Sequence, residues 1–95
     1  HKHIVLWDMD ATYVYDFKGQ KGSLTANFGF PDYKSGKNNN SEFELNISTL
    51  TPDVAIDTRT RKELKKQLLL EMDKQKSTVY SNFLDYKNNK KANDN

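Results

Sequence analysis

Two apolar alternations on either side of a glycine-bracketed break constrain this chain more than any other feature. In Ala11 to Lys18, Tyr13, Tyr15 and Phe17 fall on one side and Thr12, Asp16 and Lys18 on the other, with only Val14 breaking the polar set. Ser23 to Phe30 repeats the pattern, setting Leu24, Ala26, Phe28 and Phe30 against Thr25, Asn27 and Gly29. Period two is the mark of a half-buried strand. Between the runs, the glycines of Gly19-Gln20-Lys21-Gly22 supply the positive φ that a tight reversal demands. A turn centred there places Phe17 opposite Leu24, Tyr15 opposite Ala26, Tyr13 opposite Phe28 and Ala11 opposite Phe30, all on one face. A slip of one residue would scatter those pairs over both faces, so the register has a physical reason.

The flanking segments extend the pattern. His3 to Trp7 is a short apolar run suited to a well-covered strand, ended by Asp8-Met9-Asp10. Pro31 to Asn40 is polar and rich in turn formers, which predicts an exposed loop. Glu42 to Thr49 alternates again, with Phe43, Leu45 and Ile47 inward, giving four strands in all. Thr51-Pro52-Asp53 predicts a brief helical turn over Pro52 to Ile56. Asp57 or Thr60 can then cap a long helix, Thr60 forming a capping box with Glu63. Leu64, Leu68, Met72, Val79, Phe83 and Tyr86 make one helical stripe that runs past a break at Ser77-Thr78. Leu69 and Leu70 lie off that stripe, so the helix is buried on more than one side or meets a second copy in a homodimer.

These segments predict an α+β domain over residues 1–86: an antiparallel four-stranded sheet with a C-terminal helical layer on its aromatic face. A half-open barrel of the OB or PUA-like kind is the alternative. Residues 87–95 have almost nothing to bury and are expected to fray as a polar tail.

Composition narrows the function classes. The chain has no cysteine, which excludes disulfides and thiolate metal sites. No run approaches the ~20 apolar residues of a membrane span, and HKHIVLWDMD lacks a secretory signal's long apolar region, so a soluble, cytoplasmic protein without membrane contact is expected. The sequons Asn39-Asn40-Ser41 and Asn46-Ile47-Ser48 are read as chance in a chain with ten asparagines. His1 and His3 are given no metal role, and no third histidine exists to serve a nucleophilic triad. Read as a calcium loop, the stretch from Asp8 fails, with Tyr13 where glycine belongs and Gly19 where glutamate belongs.

The net charge of +2 is unevenly spread, residues 49–95 carrying ten bases against seven acids. Arg59, Arg61, Lys62, Lys65 and Lys66 place five bases in eight residues with only Glu63 among them, and Lys34 and Lys37 sit in the polar loop. Bases clustered this way neutralise phosphates. The leading expectation is a small non-enzymatic regulatory module that binds nucleic acid, RNA foremost, through these seven residues and needs no cofactor. The alternative is a protein-interaction or dimerisation module using Leu69 and Leu70.

Two stretches carry family resemblances. Ile4-Val5-Leu6-Trp7-Asp8-Met9-Asp10-Ala11-Thr12 resembles the first motif of haloacid-dehalogenase-type phosphatases, four apolar residues and then Asp-x-Asp-x-Thr. That resemblance implies Asp8 as nucleophile, Asp10 as general acid/base and Mg²⁺ on their carboxylates, the second alternative for function. It covers nine residues, Ala11 replaces a usual glycine, and the family's sheet with crossover helices needs a longer chain. Phe28-Gly29-Phe30-Pro31-Asp32-Tyr33 resembles the base-stacking motif of RNA-recognition-motif domains. There Ala26 replaces the basic residue, Asn27 the glycine, and Pro31 would interrupt a central strand. In such domains helices cover the face opposite the stacking rings, a face that is polar in this chain, so Phe28 and Phe30 are read as core.

Overall fold

A computed structural model describes residues 3–19, 21–53 and 55–93. Strands β1 (His3–Asp8), β2 (Ala11–Phe17), β3 (Ser23–Asp32) and β4 (Lys37–Asn46) form one antiparallel sheet in the order β1-β2-β3-β4, followed by helices α1 (Thr58–Lys74) and α2 (Thr78–Asn93). The α+β architecture is the one that the alternations predict. β1 and β4 are both edges, so the described strands form an open meander and nothing supports the half-barrel alternative.

The predicted register holds where the ladder runs: Phe17 pairs Leu24, Tyr15 pairs Ala26 and Tyr13 pairs Phe28, the β2–β3 ladder ending at Thr12 and Gly29. One sheet face therefore gathers Ile4, Leu6, Tyr13, Tyr15, Leu24, Phe28, Phe43 and Leu45, all buried. Leu64, Leu68 and Met72 of α1 and Phe83 of α2 cover it, with Val79 and Tyr86 half-buried at its margin. Tyr15 anchors the two layers, its hydroxyl donating to the Leu64 carbonyl at 2.9 Å. The other sheet face meets solvent and carries the Lys18–Glu44 ion pair, with the His3 Nδ1 3.9 Å from the Asp16 carboxylate. Gly22 is required at the start of β3: its φ is +77°, and a Cβ there would lie 2.8 Å from the Ile47 carbonyl oxygen.

Several local expectations are corrected. Pro31 to Asn40 is mostly strand, with a loop of only Tyr33-Lys34-Ser35-Gly36 between paired Asp32 and Lys37. Pro31 is tolerated because β2 has already ended, leaving this part of β3 in a two-stranded ribbon with β4. Polar Asn39 suits the covered face because the Asn82 amide of α2 donates to its side chain at 3.0 Å. No helical turn forms over Pro52 to Ile56, where Pro52 and Asp53 make a simple turn and Val54 lies outside the described residues. Asp57 alone caps α1, its carboxylate accepting from the Thr60 amide at 2.8 Å. Thr60 is therefore inside the helix, and Glu63 accepts from Gln67 at 2.7 Å instead of closing a capping box.

The break predicted at Ser77-Thr78 is a compact double cap. Lys76 takes a positive φ of 53°, its amide donates to the Asp73 carbonyl, and the Ser77 amide donates to the Met72 carbonyl, each at 3.0 Å. The Ser77 hydroxyl then accepts from the Tyr80 amide at 3.2 Å, so one serine closes α1 and opens α2. Beyond it, Lys87–Asn93, expected to fray, continue α2; residues 94 and 95 lie outside the described residues.

The two buried core tyrosines make a paired test. The Tyr13 hydroxyl finds no hydrogen-bond partner, whereas that of Tyr15 is bonded. In urea unfolding, Tyr15→Phe is expected to lower stability by ~1 kcal/mol and Tyr13→Phe to leave it unchanged or higher. The reverse order would contradict this assignment of partners.

Candidate functional site: a basic helix face and a tyrosine cleft

The cluster of bases resolves into groups with different fates. Arg59, Lys62 and Lys66 recur at i, i+3 and i+7 of α1, so they line one exposed ridge about 10 Å long at ~1.5 Å per residue, while exposed Arg61 lies off it, in line with Leu64 and Leu68 one turn before them. None of the four lies within ion-pairing distance of an acid among the described residues. The first turn of α1 contains no acid, so Arg59 and Arg61 stand where the backbone dipole is positive, beside the N-cap carboxylate of Asp57, which the Thr60 hydrogen bonds and then Arg59 hold below the usual carboxylate range.

Lys65 does not belong to that ridge. It is half-buried, its ammonium donates to the Trp7 carbonyl at 2.8 Å, and it stands 5.8 Å from the Tyr13 ring centroid. Lys65 therefore covers the open edge of β1 and is committed to the fold.

Lys34 and Lys37 do not converge with the helix bases either. They flank the β3–β4 turn, whereas Arg59 borders Ile47, Thr49 and Leu50 just past the other end of β4. Ten residues of strand separate the two groups by roughly 30 Å.

Asp8 ends β1 and Asp10 is the second residue of the two-residue turn that leads into β2, with Met9 at a φ of 55°. Both acids are met by α2. Asp8 lies 3.8 Å from the Lys87 ammonium, while Asp10 accepts from the Tyr86 hydroxyl and from Lys90, the latter at 3.2 Å. The Tyr86 hydrogen bond, followed by that of Lys90, holds the Asp10 carboxyl below the usual carboxylate range. The same bond pushes Tyr86 up to about 12. The sheet with crossover helices that the phosphatase resemblance implies is absent, since every strand pairing is antiparallel. Among the described residues no three His, Asp or Glu side chains gather as a metal site.

The base-stacking resemblance meets a similar obstacle. Phe28 and Phe30 are 1% and 2% exposed, and each contacts the Phe83 ring, at 5.0 and 5.2 Å between centroids. Their faces are filled by α2.

A second feature was not legible as a site. A cleft of about 410 Å³ opens between the end of β3, with Asp32, Tyr33 and Lys34, and the face of α2 carrying Asn82, Asp85, Tyr86, Asn89 and Lys90. The α2 residues recur at helical spacing within the stretch that includes the supposed tail, and that spacing is the signal that could have found them. Tyr33 is 73% exposed, and its ring centroid lies 6.5 Å from that of Tyr86 with the planes at 48°. Of the two leucines read as an interface, Leu69 packs partly against the core and Leu70 is 53% exposed.

The Asp10 contacts predict a pH dependence. A carboxyl whose pKa is depressed on folding contributes stability above its unfolded value of about 4, and that contribution is lost as pH falls through the lower folded value. Asp57 and Glu44, likewise depressed by hydrogen bonds, add to the same acid limb. Asp10→Asn should therefore be less stable than wild type at pH 7 and lose less on acidification below pH 4, measured by urea unfolding. Parallel acid limbs would contradict the assignment.

No family model matches the chain, and neither a curated protein nor a solved structure does.

Proposed function

We propose that this chain is a non-enzymatic regulatory module that binds the phosphate backbone of nucleic acid, RNA foremost, through the exposed face of α1. The carrying observation is the ridge of exposed bases, Arg59, Lys62 and Lys66, which has no acid within ion-pairing distance among the described residues, with Arg61 exposed in the first turn of the same helix. Oxygen-rich anions spaced along a strand suit such a ridge, because each base can meet a phosphate without any base edge being read. Lys65 is left out of this interface by its bond to Trp7, and Lys34 and Lys37 by their distance from it.

A second reading, self-association, rests on Leu70, which is exposed one turn beyond Lys66. A dimer in sedimentation that is lost on Leu70→Glu, in a protein indifferent to RNA, would favour it.

Binding of single-stranded and duplex RNA across a salt series tests the first reading. Three phosphate contacts on a single strand predict a slope of about −2 for log affinity against log salt. The triple change Arg59→Gln, Lys62→Gln and Lys66→Gln should abolish binding without lowering the thermal midpoint, because the three side chains are exposed and glutamine is a good helix former. Affinity that survives the triple change, or shows no salt dependence, would refute it.

A further inference from the structure

We propose that the cleft between the β3–β4 turn and α2 is a second binding site, for a neutral polyhydroxylated ligand: a sugar ring or short neutral oligosaccharide. It lies at the opposite end of the sheet from the start of α1 and does not depend on the nucleic-acid reading.

Three observations select this chemistry. The first is the aromatic pair. Tyr33, the first residue of the four-residue turn, keeps most of its surface in solvent. Tyr86 faces it, its ring set by the hydroxyl bond to Asp10. The two rings rest against each other with centroids 6.5 Å apart and planes at 48°, so together they present one bent aromatic platform on whose open face the C–H groups of a puckered, saturated ring can lie.

The second is charge balance. Asp32, Asp85 and the Asp10 that engages Lys90 outnumber Lys34 and Lys90 three to two, so an anionic ligand entering the cleft is disfavoured. The third is hydrogen-bonding capacity. Asn89 offers an amide donor and acceptor together, and the carboxylate of Asp85 lies one turn before it, a pairing that suits adjacent hydroxyls acting as both donor and acceptor. The volume, about 410 Å³, falls in the range of small-ligand sites, ~300–1,000 Å³.

The turn is also preorganised. The Gly36 amide donates to the Asp32 carbonyl at 2.9 Å and the Lys34 amide to the Asp32 carboxylate at 3.1 Å, which holds Tyr33 over the cleft before any ligand arrives.

Titration of the ¹⁵N-labelled full chain with maltotriose, cellotriose, xylotriose and chitotriose, with adenosine and inorganic phosphate as comparison ligands, tests the proposal. At least one sugar should shift the amide resonances of residues 33–37 and 82–90 saturably. Tyr33→Ala and Asn89→Ala, both exposed positions, should each weaken that sugar by roughly tenfold without moving the unfolding midpoint. The proposal is overturned if no sugar gives saturable shifts there, if both variants bind as wild type does, or if adenosine or phosphate occupies the cleft and the sugars do not.

Discussion

The structure depends on a run of rings that joins the sheet to its second helix. Tyr13 meets Phe28 edge-on at 5.1 Å, Phe28 meets Phe83 edge-on at 5.0 Å, and Phe83 meets Phe30 at 5.2 Å, which in turn lies 5.4 Å from Tyr86. Edge-to-face contacts add to the large apolar area each ring removes from water. Phe83 is the one member supplied by α2 that is fully inside, so the attachment of that helix passes through it.

What α2 then does follows from its docking. The double cap at Lys76 and Ser77 ends α1 and starts α2 within a few residues, and Phe83 seats the second helix on Phe28 and Phe30 of β3. Tyr86, Lys87 and Lys90 reach the Asp8–Asp10 turn from there, closing the β1–β2 end of the sheet. The two acids that resemble a phosphatase motif are thereby neutralised by a helix on the other side of the core. The same docking builds one wall of the tyrosine cleft, so a folding contact and a candidate binding surface share Tyr86.

Much of the fold was legible because it rests on period and volume. Tyr13, Tyr15 and Phe17 alternate against polar neighbours, so the buried face and the register could be read from residue order, and the stripe of Leu64, Leu68 and Met72 named its cover. What escaped depended on partners distant in sequence. Asn39 looks like loop until Asn82 is placed against it, and Lys87 and Lys90 look like a solvated tail until Asp8 and Asp10 are found beneath them. Thr60 with Glu63 has the spacing of a capping box, yet Asp57 three residues earlier captured the Thr60 amide first. Lys65 could not be told from Lys62 or Lys66 by composition, since only the path of β1 brings the Trp7 carbonyl within its reach.

The account stands on the dry, helix-covered aromatic face, and Phe83→Ala addresses it most directly. Truncating a fully buried phenylalanine costs ~3–5 kcal/mol when its neighbours cannot collapse into the space, a large part of the ~5–15 kcal/mol stability of a small domain. Urea unfolding of Phe83→Ala should show a loss of at least ~3 kcal/mol. A loss below ~1 kcal/mol, the size of an ordinary surface change, would mean that α2 does not roof the rings and would contradict the account.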